Sequence, residues 1–322
     1  MVSLIIYFDS VSQEYKDELV SHSNDFKLLF WQDLSISQKE KALCEADYFL
    51  VSTFELTEDM LERATNVKLV QKTGIGLDNI DLKAAVRLSI PVCNLPGGNA
   101  RGVAELTIGM ILSLYRKLTI LDKATKSGKW LMWEHRLSSY EMFGKTHGFI
   151  GFGNIGQETA KRSKAFGTEI IYYDKFQLSP ELEIELESTF VSLQEVLERS
   201  DIISIHIPLL TETKHLISTS EFSQMKSNAI LINVSRGNIV DEDALAEALS
   251  TNKIGGAGLD VWAEEPININ NPLLAFDNII ATPHIGAGTR DTLNNVMTLA
   301  FNNFRKVEKG DRPSFIQNGV NL

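Results

Sequence analysis

Three residues of complementary chemistry stand just past apolar, strand-like runs: Arg236 after AILINV, Glu265 after GAGLDV and His284 after NIIATP. An arginine offers a fixed two-pronged fork for the carboxylate and carbonyl of a 2-oxo acid. A histidine holds a transferable proton near neutral pH. A neighbouring carboxylate orients the imidazole and favours its protonated form. Together they suit hydride delivery to a ketone, which needs a cation near the substrate and a proton for the developing alkoxide. Taken singly, they are equally consistent with a surface arginine cap, a solvated glutamate before Pro266 and an ordinary loop histidine. As a group they share one place, the carboxyl ends of strands, where doubly wound sheets bind ligands.

A second constellation is Gly151-Phe152-Gly153-Asn154-Ile155-Gly156, which fits G-x-G-x-x-G. The string alone is weak, but here it closes an apolar strand (Phe149, Ile150) and opens a helix from Gln157. The first glycine serves the tight turn, the second lets a pyrophosphate approach, and the third lets helix and strand pack closely. The helix N-terminus then offers free N–H groups to the phosphates. Asp174 ends the next strand, EIIYYD, eighteen positions past Gly156. That is near the offset of the acid that hydrogen-bonds an adenine ribose. A carboxylate there repels a 2′-phosphate, so NAD(H) is expected over NADP(H), a preference that Lys175 softens. The alternative for Asp174 is a solvated strand end.

The elements that must position these residues come in two alternating series. The first has strands expected at 4–8, 26–31, 48–52, 68–72 and 91–94, with helices near 12–21, 37–46, 57–65 and 81–89. The second has strands at 147–152, 169–174, 202–207, 229–234, 254–261 and 278–282. Its helices fall near 154–166, 192–199, 219–225, 241–250 and 288–308. Strands alternating with helices argue for parallel sheets with crossover helices. Between the series, 99–126 reads as one long amphipathic helix. Its stripe of Val103, Leu106, Met110, Leu114 and Leu118 is widened by Ile108, Ile111 and Tyr115, as in a helix buried on two sides.

Composition narrows the function. The 322 residues carry 31 basic and 42 acidic side chains, for a formal net charge of −11. With no run of Lys and Arg, this is the wrong balance for nucleic acid or an anionic membrane. Two cysteines, Cys44 and Cys93, make no disulfide framework or C-x-x-C pair and are expected as plain buried thiols. No H-E-x-x-H or related spacing is present, so no metal is expected, and no G-x-S-x-G elbow marks a serine hydrolase. The first residues lack a basic leader, and 106–115 is too short to span a bilayer. A cytoplasmic protein is expected.

The sequence resembles the D-isomer-specific 2-hydroxyacid dehydrogenase family, which includes D-lactate dehydrogenase, glyoxylate/hydroxypyruvate reductase and D-3-phosphoglycerate dehydrogenase. The resemblance runs through TGIGLDNIDL (73–82), NLPGGNARGVAELT (94–107), GKTHGFIGFGNIG (144–156) and HIPLLTETKHLI (206–217). It continues through AILINVSRGNIVDEDAL (229–245), GAGLDVWAEEP (256–266) and NPLL…NIIATPHIGAGT (271–289).

The resemblance implies an α/β fold of two doubly wound parallel sheets, with a Rossmann NAD-binding domain (99–289) inserted into a flavodoxin-like substrate domain (1–98 plus 290–322). It implies reduction of a small 2-oxo acid to the D-2-hydroxy acid by NADH, with His284 giving the proton, Glu265 bonded to it and Arg236 holding the substrate. Ile75, Gly76 and Leu77 join Arg236 and His284 as implied substrate contacts. Implied cofactor contacts are Gly151, Gly153, Asn154, Ile155, Gly156, Asp174, Ile207, Pro208, Thr213, Val234, Ser235, Arg236, Asp260, His284, Gly286 and Ala287. A homodimer formed through the nucleotide domain is implied too. Trp130, Trp133 and Arg136 either shape a substrate pocket across that dimer or pack on the surface.

With the sequence ending at Leu322, the regulatory domain of some phosphoglycerate dehydrogenases is not expected. His147 stands where an apolar residue is common in the family, and Glu265 where formate dehydrogenases carry Gln. A different class of function on the same fold is an NAD(H)-sensing corepressor-like protein, which the lack of long disordered tails disfavours.

Overall fold

Apolar runs too short for helices become strands where polar or glycine-rich segments bracket them. The computed structural model describes residues 2–320. It divides into one unit comprising the described residues up to Asn99 and from Arg290 onward, and a second spanning Ala100–Thr289.

The first unit contains β1 (Leu4–Tyr7), α1 (Gln13–His22), β2 (Lys27–Phe30), α2 (Ile36–Glu45), β3 (Tyr48–Val51), α3 (Glu58–Arg63), β4 (Leu69–Lys72), α4 (Leu82–Arg87) and β5 (Val92–Cys93). The second contains α5 (Ala100–Tyr115), α6 (Leu118–Lys126), β6 (Thr146–Ile150), α7 (Asn154–Ala165), β7 (Glu169–Tyr173), α8 (Pro180–Leu186), β8 (Ser188–Phe190), α9 (Leu193–Arg199) and β9 (Ile202–Ile205). It continues with α10 (Thr219–Gln224), β10 (Ile230–Asn233), α11 (Glu242–Ser250), β11 (Gly256–Leu259) and β12 (Ile279–Ala281). The chain then re-enters the first unit as α12 (Arg290–Glu308).

The first sheet has the order β2-β1-β3-β4-β5 with every pair parallel. This is the flavodoxin-like order. Helices on both faces bury β3 and β4 throughout, and β1 from Ile5 onward. Ile6, Phe8, Phe49 and Val70 join one core, and Ile5, Tyr7, Tyr48 and Leu69 pack with Phe301 and Phe304 of α12 in another. The second sheet runs β12-β11-β10-β9-β6-β7-β8, again all parallel. Counted from β6 this is the Rossmann order, with its topological switch between β6 and β9.

Three expectations need correction. The stretch 99–126 is two helices, because Lys117 adopts a left-handed φ of 53° between them. The first of the two, α5, is buried on both sides as its wide stripe requires. The segment after β7, with no element expected, holds α8 and β8; Ser179 caps α8 and Pro180 takes its first turn, where a missing N–H costs nothing. Cys93 is buried, but Cys44 is exposed, on the solvent side of α2.

Candidate active site

Strand β6 ends at Ile150, and the chain must reverse at once into α7. Gly151 makes that turn at φ +91°, where a Cβ would also lie 2.7 Å from the His206 carbonyl carbon and oxygen. At Gly153, the N-cap of α7, a Cβ would meet nothing within 4 Å, and no side chain caps the helix. The result is open space at the uncapped N-terminus of a twelve-residue helix, where a pyrophosphate can approach its leading N–H groups. Asp174 follows β7, and its Oδ2 accepts the Phe152 amide at 2.6 Å, so the acid is tied to the glycine turn itself. These residues fit a dinucleotide.

The other implied cofactor residues ring the same strand ends. Ile207 and Pro208 follow β9. The Thr213 hydroxyl donates to the Pro208 carbonyl and accepts the Leu210 amide, both at 2.7 Å, and so shapes that turn. Val234 is buried behind β10, and Ser235 Oγ donates to the Ile205 carbonyl at 2.7 Å. Asp260, 1% exposed, accepts from Thr282 Oγ1 and from the Ile285 and Gly286 amides. The carboxylate of Asp260 therefore holds the loop of His284, Gly286 and Ala287 from below.

Arg236, Glu265 and His284 converge in this unit. His284 Nδ1 lies 2.7 Å from Glu265 Oε2, with both side chains 38% exposed. Glu265 Oε1 accepts the Trp262 amide at 3.0 Å, so the carboxylate is held at both oxygens. Arg236 is brought near by Gly237, whose missing side chain lets its backbone lie against that of Trp262. Partial burial raises the Glu265 carboxyl. The His284 bond, the Trp262 amide and the His284 and Arg236 charges outweigh that effect and leave it below its ordinary value. Glu265 lies against Nδ1 of the imidazole, and Nε2 has no partner among the described residues.

In the first unit, Ile75, Gly76 and Leu77 form the loop after β4. No described residue accepts from the amides of Gly76 or Leu77, while the Ile75 carbonyl is held by Asn94 at 2.8 Å.

The sequence profile of the D-isomer specific 2-hydroxyacid dehydrogenase, NAD binding domain, matches residues 108–286. A hydroxypyruvate reductase of Thermotoga maritima is 42% identical over 259 residues, which cover 80% of this chain and 83% of that protein. The chain belongs to the D-isomer-specific 2-hydroxyacid dehydrogenase family. The resemblance read from the sequence is thus borne out, and with it the two parallel α/β sheets and an NAD-dependent oxidoreductase class.

Another family member, D-3-phosphoglycerate dehydrogenase of Methanocaldococcus jannaschii, is 39% identical over 86% of this chain. The matched region spans only 53% of that relative, about half its length. The D-lactate dehydrogenase of Lactobacillus jensenii, solved with NAD+, superposes with a TM-score of 0.82 at 28% identity, covering 97% of this chain and 99% of that one.

Within this family frame, sequence reasoning missed the residues that brace the site. Glu242 accepts the Ala263 amide at 2.6 Å and Asn271 Nδ2 at 2.7 Å, fixing the segment that carries Glu265. Asp9, 8% exposed, accepts from the Ser52, Thr53 and Phe54 amides and from Thr53 Oγ1. Asp9 stands just past β1 and Glu242 opens α11; the backbone amides that each accepts come from other parts of the chain and are not visible in the sequence.

Proposed function

We propose that this chain reduces a small 2-oxo acid to its D-2-hydroxy acid, and catalyses the reverse. The observation that carries the reading is the 2.7 Å pairing of His284 with Glu265 in the field of Arg236. Bound NADH supplies the hydride. Gly151, Gly153 and the first turn of α7 are assigned its pyrophosphate, and Asp174 its adenine ribose. His284 holds a proton at Nε2 and gives it to the carbonyl oxygen as that oxygen gains charge. Glu265 keeps the imidazole turned. Arg236 takes the carboxylate and carbonyl of the substrate through its fork, and the amides of Gly76 and Leu77 are assigned as further substrate contacts.

The first unit is accordingly assigned the substrate and the second the NAD. The enzyme is further assigned to the cytosol as a homodimer. The dimer assignment draws on the apolar side chains that unit 100–289 exposes in one stretch: Trp130 at 78%, Trp133 at 67% and Leu137 at 98%. A patch of that kind is usually a covered surface. The test is NADH consumption with glyoxylate, pyruvate and hydroxypyruvate, alongside the mass in solution. Turnover of at least one of them is expected. Tight NADH binding with no turnover across a broad 2-oxoacid panel would overturn the reading.

A further inference from the structure

Strand β5 ends at Cys93, and the next residue, Asn94, is 4% exposed. Its Nδ2 donates to the carbonyl of Ile75 at 2.8 Å. The following amide, of Leu95, donates to the carbonyl of Gly74 at 3.3 Å. Two consecutive carbonyls of the loop after β4 are therefore drawn toward the end of β5. A trans peptide is planar, with its C=O and N–H on opposite sides. Holding the Ile75 carbonyl toward Asn94 turns the Gly76 N–H away from it, and that N–H finds no acceptor among the described residues. The Leu77 amide beside it has none either. Two adjacent free N–H groups make a small concavity for an anion.

Asn94 is not there for its own hydrogen bonding. Its Oδ1 is buried without a partner, an arrangement that costs folding free energy. A buried side chain that uses only its donor, on one loop carbonyl, is a device for orientation.

We propose that Asn94 is a positioning residue for the substrate: through the Ile75 carbonyl it aims the Gly76 and Leu77 amides at the substrate carboxylate. The inference rests on the 2-oxoacid reading above. Aspartate has nearly the same shape as asparagine but, ionised, can only accept, so Asn94→Asp repels the Ile75 carbonyl. Protonated, it can donate again. The experiment measures KM, kcat and NADH affinity for wild type, Asn94→Asp and Asn94→Leu across pH, together with binding of oxamate, a non-reacting carboxylate analogue, to the enzyme–NADH complex.

Asn94→Asp is expected to raise KM and weaken oxamate at least tenfold at neutral pH, with NADH affinity unchanged. The defect should shrink as pH falls, and Asn94→Leu should show the loss without the recovery. Wild-type KM and oxamate affinity in both variants would overturn the inference. So would a loss of NADH affinity and melting temperature in step with KM, since that pattern belongs to a general structural role. If wild type itself turns over no 2-oxo acid, the functional reading has failed separately. The NMR amide resonances of Gly76 and Leu77 then decide the positioning: displaced resonances in both variants are expected, and unchanged ones would overturn it.

Discussion

The amide of His284 donates to the carbonyl of Asp260 at 2.7 Å, and the carboxylate of that same aspartate accepts the next two amides, of Ile285 and Gly286. His284 itself sits at φ 53°, a left-handed conformation unusual for a side chain of its size. The backbone that presents the imidazole is thus held in a costly shape by one buried acid. Asparagine at 260 would keep the size but lose the charge, and its NH2 would oppose an amide that needs an acceptor. A charge-assisted bond lost in a buried setting is worth about 1.5–3 kcal/mol. Asp260→Asn should therefore lower kcat/KM by about ten- to a hundredfold, with the secondary structure intact by circular dichroism.

Glu265 is expected to act through its pairing with His284. The carboxylate lies 2.7 Å from His284 Nδ1, and its own carboxyl is held below the ordinary value. Glu265→Gln removes the charge and keeps the shape. Reduction of a 2-oxo acid should fall about tenfold or more in the variant, with NADH affinity unchanged. Wild-type turnover would show that the charge is not needed there.

Asp174 should govern the choice of nucleotide. Its bond to the Phe152 amide places a fixed negative charge at the glycine turn, where the extra phosphate of NADPH would be repelled. Asp174→Ala should lower the ratio of kcat/KM for NADH to that for NADPH. Equal ratios before and after the change would contradict the assignment.

Acid lability is expected from the core of the nucleotide sheet. His147 is wholly buried between Ser163 Oγ at 2.8 Å and Ser204 Oγ at 2.9 Å, and His206 Nε2 lies 2.9 Å from the same Ser204 oxygen. Burial drives His147 well below its ordinary value, with the nearby His206 adding to the effect, and takes His206 down to about 3. The unfolded chain takes up protons on both as pH drops below about 6.5, while the folded chain does not. Stability is full above that value and is lost between it and the folded values, by up to about 1.4 kcal/mol per pH unit for each ring. Urea midpoints measured from pH 7 downward should fall, and fall less steeply in His147→Leu, even though that variant starts lower for the loss of its two buried hydrogen bonds to Ser163 and Ser204.

Much of this was legible in the sequence, for identifiable reasons. Parallel strands buried on both faces read as short apolar runs, so LIIYF and YFLVS announced β1 and β3 to within a residue. The break between α5 and α6 was not legible, because neither glycine nor proline marks it and the apolar stripe passes straight through Lys117 from Leu114 to Leu118. The segment of α8 and β8 hides in acidic sequence, ELEIELES, with too little apolar periodicity to register, although Ser179 and Pro180 are a recognisable helix start. At the site, Arg236, Glu265 and His284 were legible because strand ends are. Asn94, Asp9 and Glu242 were not, since their roles depend on which backbone atoms from elsewhere in the chain fold against them.

The pairing of His284 with Glu265 is most directly tested by His284→Ala, comparing turnover and NADH binding in the same preparation. The account predicts NADH affinity close to that of wild type and 2-oxoacid reduction lowered about a hundred- to ten-thousandfold, the usual contribution of a positioned general acid. Turnover near the wild-type rate would contradict it.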